Sequence, residues 1–213
     1  MSEPPYFDDA FLSGLRDLMS WRRDVRRFRR DAPPRALIGE ILGLAQLSPS
    51  VGNSQPWRIV EVASPPKREA VRANFRACNA AALAAQAHSR AADYARLKLE
   101  GLDAAPIQFA VFCDRGAGQG HGLGALTMPE TLDYSVVSMI AMLWLAARAR
   151  GLGLGWVSIL DPARMVADLG LPATYKFIAY LCLGFPIEEH ETPELERAGW
   201  QARTPIGAYI LHV

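Results

Sequence analysis

Ser48-Pro49-Ser50-Val51-Gly52-Asn53-Ser54-Gln55-Pro56-Trp57 stands between a helical pattern and a β-branched run, and its reading decides much of the rest. Small hydroxyl and amide side chains, a glycine and two prolines make a rigid turn that exposes several backbone N–H groups. Such a turn suits an anion or the edge of a heteroaromatic ring, although a plain helix-to-strand loop has the same composition.

Upstream of the turn, Leu37, Ile38, Ile41, Leu42 and Leu44 recur at helical spacing and predict a helix over Ala36 to Leu47. Phe11, Leu15, Leu18 and Met19 predict another over Phe7 to Ser20. Downstream, Ile59, Val60 and Val62 favour a strand from Trp57 to Val62. Lys67 to Leu99 is Ala-rich and poor in Gly and Pro, and reads as helix with room for breaks. Ile107 to Cys113 reads as a strand, and Gly116 to Gly124, which holds five glycines, as a mobile loop. Leu132 to Arg150 is a helix with Val136, Val137, Ile140, Leu143, Trp144 and Ala147 on one broad face and Gly151 as its stop. Asp161-Pro162 caps a short helix over Ala163 to Leu169, ended by Gly170. Phe177 to Phe185 predicts a buried strand, and Pro186 to Val213 is irregular with an apolar Tyr209-Ile210-Leu211 ending. The sum is one α+β domain over residues 1–213, with helices outweighing a small sheet of about four strands.

Composition narrows the function classes. The 23 basic and 22 acidic residues nearly cancel, so no bulk field points to nucleic acid or an anionic membrane surface. Cys78, Cys113 and Cys182 are odd in number and far apart, which favours reduced thiols and a cytoplasmic location. The opening Met-Ser-Glu-Pro-Pro-Tyr-Phe-Asp-Asp lacks the basic and apolar regions of a signal peptide. The apolar stretch around Ser138 to Ala147 falls short of the roughly 20 residues that span a bilayer, so no membrane role is expected. The four histidines are never paired at ligand spacing and no Cys-x-x-Cys occurs, which leaves no case for a metal. A dinucleotide fingerprint, a Walker loop and a nucleophile elbow are all missing. Gly151-Leu-Gly-Leu-Gly155 has the wrong spacing for the first of these, and instead suits a helix end and strand start in close contact with something flat.

Two further polar clusters remain. Arg22-Arg23-Asp24-Val25-Arg26 follows the first helix, where guanidinium groups could clamp a phosphate or hydrogen-bond a ring carbonyl. A solvated basic helix end is the bland alternative. Gly155-Trp156-Val157-Ser158-Ile159 sets one hydroxyl among apolar neighbours, and by itself would be an ordinary strand serine.

In order and spacing, Arg23-Asp-Val-Arg26 with Phe28, the Pro49 to Trp57 turn, and Gly184-Phe-Pro186 with Arg203 resemble the FMN-dependent nitroreductase-like superfamily over nearly the whole chain. Arg22-Arg-Asp-Val-Arg26, Leu97-Lys-Leu-Glu-Gly101, Leu143-Trp-Leu-Ala-Ala-Arg148, Gly155-Trp-Val-Ser-Ile159, Leu181-Cys-Leu-Gly-Phe185, and Pro193-Glu-Leu195 with Gly199-Trp200 resemble, more narrowly, the 5,6-dimethylbenzimidazole synthase family. The resemblance implies a small, mainly antiparallel sheet packed among helices, with FMN at a homodimer interface. It implies that reduced FMN is the substrate and molecular oxygen the co-substrate. Fragmentation through a peroxyflavin would give 5,6-dimethylbenzimidazole, the lower ligand of cobalamin, and erythrose 4-phosphate. A separate NAD(P)H flavin reductase would supply the FMNH2. Carried over by position, Asp24 and Ser158 are the catalytic pair, with Asp24 moving a proton near the ribityl chain and its flanking arginines favouring the ionised form. Arg22, Arg23, Arg26 and Arg203 would hold the phosphate and ring edge, Ser50, Gly52, Gln55 and Ser158 would line the flavin, and Leu99 would lie in a covering segment. Arg27 and Arg29 depart from the acidic residues that often follow the motif in that family, and Asn53-Ser54 is closer to general nitroreductases. An NAD(P)H-dependent nitroreductase or quinone reductase, and a flavin-binding protein without turnover, are the alternative readings.

Overall fold

The computed structural model describes residues 3–213. Helix α1 (Asp9–Trp21) starts where the Asp8 carboxylate accepts the Phe11 N–H at 2.8 Å. Helix α2 (Arg35–Ala45) and a single 3-10 turn at Val51–Asn53 lead to strand β1 (Trp57–Glu61). The Ala-rich stretch divides into α3 (Pro65–Ala84) and α4 (His88–Arg96), and the chain from Leu97 is already extended. Strand β2 (Ile107–Asp114), helix α5 (Thr131–Ala149), strand β3 (Gly153–Val157), helix α6 (Pro162–Leu169) and strand β4 (Tyr175–Gly184) complete the body. The Asp161 side chain caps α6 by accepting from Ala163 and Arg164, and left-handed Gly170 (φ 74°) ends it. Beyond β4 the chain forms only a short helix α7 (Glu194–Arg197) and a 3-10 turn at Ile206–Tyr209.

The four strands run β1-β2-β4-β3, antiparallel throughout. Alternation along β2 sends Ile107, Phe109, Val111 and Cys113 to a core shared with α2 and α5, and Ala110 and Phe112 to a second core containing Val71 of α3 and Met165 of α6. A bulge between Val111 and Phe112 pairs them with Ala179 and Phe177, so Phe177 joins the second core although Ala179 faces the first. Helix α5 is long and apolar enough by composition to cross a membrane. Its Val136, Met139, Ile140, Leu143 and Ala147 are instead fully buried in the first core.

Outside β3 runs the Arg-rich segment, which forms a parallel bridge from Asp24 to Leu154 and an antiparallel one from Phe28 to Pro186. The Val25 N–H donates to the Leu154 carbonyl at 3.1 Å. A Cβ on Gly155 would lie 2.0 Å from the Val25 carbonyl oxygen, and one on Gly153 2.7 Å from a Val25 methyl. The flat object against the glycine run is therefore the chain's own backbone. The Gly116 to Gly124 segment also departs from expectation. It is folded into hydrogen-bonded turns and pinned to the first turn, where the Gln119 amide donates to the Asn53 carbonyl at 2.8 Å.

Asp133, nearly buried in the first turn of α5, accepts from Arg115 at 2.5 Å and Lys176 at 2.7 Å. Burial alone would raise its carboxyl, but these two cations outweigh it and hold the group below its ordinary 3.8. A depressed native value adds stability above about pH 4 and loses it as pH falls through the native value. Both cations are largely solvated, so Asp133→Asn should destabilise by only about 1 kcal/mol at pH 7, and urea unfolding should show the gap close below pH 4. A gap that stays constant with pH would assign the loss to packing. Gly155→Ala should weaken folding by about 1–3 kcal/mol through backbone overlap, seen as a lower melting temperature, together with faster amide exchange at Val25.

Candidate active site

The bridge to β3 places Asp24 in the crease between the Arg-rich segment and the strand. Its Oδ1 accepts the Trp156 N–H at 2.7 Å and its Oδ2 accepts from Arg26 Nε at 3.0 Å. Burial in that crease raises the carboxyl above the ordinary range, and Arg26 with the Trp156 N–H only partly offsets it, while Glu194 adds to the rise. Arg26 does favour the ionised form, as expected of a flanking arginine, but burial outweighs it. Among the described residues, only Arg26 pairs with the carboxylate. A carboxyl shifted upward is closer to the working range of a proton donor and acceptor.

Arg26 is tied to Asp24 and also donates to the Lys98 carbonyl at 2.6 Å, so the structure sets it apart from the other phosphate candidates. That bond, and a Gly101 whose absent Cβ would sit 2.5 Å from the Phe28 ring, hold the extended Leu97–Gly101 segment beside the site. Leu99 lies in that segment, half-buried. Ser158 follows β3 directly and is exposed, two residues beyond Trp156 and hence on the same side by strand alternation. Lying just past the end of β3, it is not the ordinary strand serine of the bland reading.

Arg22 and Arg23 face elsewhere. The Arg22 guanidinium lies 4.8 Å from the Trp144 ring centroid, and Trp144 Nε1 donates to the Arg23 carbonyl at 3.0 Å. Arg23 Nε donates to the Glu191 carbonyl at 2.5 Å. Partial burial, then the Arg203 charge, lowers the affinity of both Arg22 and Arg23 for their protons, which places Arg203 close to them. Neither Arg22 nor Arg203 has an ion-pair or side-chain hydrogen-bond partner among the described residues. Mutually repelling guanidiniums without an ion-pair partner fit a phosphate, although the Asp24 charge offsets part of the repulsion at Arg22. Beside them opens an apolar groove of ≈ 390 Å³, with Met19, Val137, Trp144 and Trp156 in its walls and Arg22 at its edge. A flat ring with a charged tail fits this shape and chemistry.

Trp144 was missed by sequence reasoning, which saw only a core position on α5. An aromatic at the margin of an apolar face, within reach of an arginine cluster, carries no distinct spacing signal. The turn residues lie apart from this site. Ser50 Oγ accepts the Gln55 N–H at 3.1 Å, and left-handed Gly52 (φ 55°) packs toward the Leu123 and Gly120 carbonyls, so its missing side chain admits the glycine loop. The turn feeds β1, whereas Asp24 and Ser158 flank β3 at the opposite sheet edge. Three strand spacings, roughly 14 Å, separate those edges.

Known proteins share this fold. The sequence model of the Nitroreductase family matches residues 19–185. The chain is 57% identical over 205 residues to the 5,6-dimethylbenzimidazole synthase of Rhodospirillum rubrum, covering 96% of this chain and 97% of that protein. It is 47% identical over 199 residues to the 5,6-dimethylbenzimidazole synthase of Rhodobacter capsulatus, covering 93% and 96% respectively. Among solved structures, oxidized iodotyrosine deiodinase bound to FMN and 3-iodo-L-tyrosine shares the fold with a TM-score of 0.69, at 24% identity and over 83% of this chain and 91% of that one. The chain belongs to the nitroreductase family and, within it, to the 5,6-dimethylbenzimidazole synthases.

Proposed function

We propose that the chain is an enzyme that converts reduced FMN and molecular oxygen into 5,6-dimethylbenzimidazole and erythrose 4-phosphate. The observation that carries this reading is a confined carboxylate, Asp24, bonded to the backbone of Trp156, a residue that lines an apolar groove with the Arg22 guanidinium, unpaired among the described residues, at its edge. Bound there, reduced FMN supplies both the carbon skeleton of the product and the electrons for oxygen.

The residues divide the work. Arg22, Arg23 and Arg203 take the phosphate, with the Trp144 ring behind Arg22 limiting its rotamers. Arg26 orients Asp24 without leaving it. With Oδ1 fixed by the Trp156 N–H and Oδ2 by Arg26, the carboxylate keeps one free lone pair on each oxygen for a proton. Ser158, whose hydroxyl is exposed beside the groove wall, hydrogen-bonds the ring or the reactive oxygen. Leu99 and its segment exclude water, which suppresses loss of oxygen as peroxide.

A homodimer completes the site. Ser50, Gly52 and Gln55 reach a flavin only if a second copy brings its turn to this groove, since within one chain they lie across the sheet. Exposed apolar side chains suit such a partner: Tyr134, Val137 and Met142 on α5, Phe11 and Leu12 on α1, and Tyr209 to Leu211 at the end. FMN is consumed, so a separate NAD(P)H flavin reductase has to deliver FMNH2. Cys113 and Cys182 are buried and all three cysteines are free, in keeping with a reducing cytoplasm; burial pushes the Cys113 thiol up to about 12.

Loading with reduced FMN under anaerobic conditions, then admitting air and separating the products by chromatography, tests the reaction. Native protein should yield dimethylbenzimidazole, and Asp24→Asn should bind flavin yet lose product by at least about a hundredfold, the scale of a lost general acid–base group. Recovery of intact FMN that cycles with NAD(P)H would make the chain an ordinary flavin reductase. Flavin binding should also track dimer formation in sedimentation experiments, and tight binding by a monomer would rule out the shared site.

A further inference from the structure

Arg27 stands where the family resemblance leads one to expect an acidic residue, and it has no part in the reaction described above. Its Nη1 bridges two carboxylates, Glu188 Oε1 at 3.0 Å and Glu194 Oε1 at 2.7 Å. Its carbonyl accepts the Ile187 N–H at 3.1 Å, next to the Arg29 N–H bond to the Phe185 carbonyl at 2.8 Å. The chain leaving β4 is thus laid along the Arg-rich segment by backbone pairing and then locked by this side chain. Further along the same stretch, Arg148 pairs with Glu189 and Arg23 grips the Glu191 carbonyl. After α7 the chain turns at left-handed Gly199 (φ 71°), seats Trp200 against Tyr94 and Arg90, and arrives at Arg203.

Arg203 is exposed and is drawn in by no ion pair among the described residues, while Arg22 and Arg23 repel it. Something must hold the stretch in place before a phosphate arrives. Glu194 has a side chain only 19% exposed, which makes its contact with Arg27 the best shielded of the pairs along this stretch. We propose that Arg27 is a positioning residue of the phosphate site: by clamping Glu188 and Glu194 it holds the Pro186–Arg203 stretch against the Arg-rich segment and so presents Arg203 beside Arg22 and Arg23. The largest cause of the raised Arg27 value is its hydrogen bond to Glu194, consistent with that carboxylate being the main hold. This inference rests on the phosphate reading of Arg22, Arg23 and Arg203.

Reduced riboflavin differs from reduced FMN only in lacking the phosphate, so the ratio of their affinities isolates this part of the site. Anaerobic titration calorimetry on the full-length protein, with no oxygen to permit turnover, gives both dissociation constants. Arg27→Ala should weaken reduced FMN about tenfold while moving reduced riboflavin less than about twofold. Arg27→Lys, which keeps the charge, should recover most of the loss, and Glu194→Gln should lower the FMN preference from the other side of the clamp. Equal weakening of both flavins, or an unchanged FMN constant in Arg27→Ala, would overturn the proposal. Arg203→Ala serves as the control: if the preference for FMN over riboflavin survives it, the phosphate reading fails and the clamp falls with it. If Arg203→Ala abolishes the preference and Arg27→Ala leaves it intact, only the clamp is wrong.

Discussion

The site depends on one steric condition, that the backbone at Val25 can lie directly on β3. A side chain at Gly155 would collide with the Val25 carbonyl, and one at Gly153 with the Val25 methyls. With both absent, an irregular post-helix segment becomes an extra strand-like edge, paired at Leu154 and Pro186. Phe28 then drops into a crevice bounded by Gly101, Gly155 and Gly184 and is 1% exposed. That ring anchors three stretches at once: the Arg-rich segment, the covering Leu97–Gly101 segment and the end of β4. The placement of Asp24 follows from this anchoring rather than from any interaction with substrate, so the carboxylate is held ready before anything binds.

Electrostatics at the site is a contest in which burial wins at Asp24 and repulsion persists among the arginines. A guanidinium 3.0 Å away would ordinarily hold a carboxyl low, yet here burial dominates and the carboxyl rises. Arg26 favours ionisation and orients Oδ2, but does not outweigh burial. Among the described residues, Arg22 and Arg203 have no ion-pair partner although acidic residues are plentiful in the 188–196 stretch. Glu188 and Glu194 are engaged with Arg27 and Glu189 with Arg148, while the charges of Glu191 and Glu196 act on Arg23. An anion meeting the free guanidiniums replaces repulsion with attraction, which favours phosphate far more than a surface basic patch would.

Much of this was legible in the sequence, for reasons that can be named. The alternation in β2, the apolar face of α5 and the Asp161 and Gly170 caps are short-range patterns, and their elements fall within a few residues of the expected bounds. The nitroreductase-like α+β fold, with its small antiparallel sheet, followed from the order of the motifs and is confirmed. What escaped was decided by distant contacts. The break between α3 and α4 has no Gly or Pro to mark it, and the glycine loop reads as mobile because nothing local shows that it packs on Gly52. The separate fate of Arg26 depends on Lys98, and the upward shift of Asp24 on burial in the crease with β3, both far off in the chain.

The same sheet order that positions Asp24 also sets the Ser50–Gln55 turn at the far edge of the sheet, which is what the proposed homodimer answers. In a four-stranded sheet the first and last strands are both edges, and each edge here carries one half of the polar apparatus. The Ser50–Gln55 turn is rigid, held by Ser50 to Gln55 and by Gln119 to Asn53, so it cannot swing across three strands to join Asp24. In the proposed homodimer a two-fold axis would solve the problem without motion, by setting the β1 edge of one copy against the β3 edge of the other, twice. The apolar groove beside Trp144 and Trp156 would then be roofed by the partner, removing water from around Asp24 and strengthening every charge interaction there. On that arrangement dimerisation is a catalytic requirement as well as a source of stability, and the exposed faces of α1 and α5 are part of the active-site wall.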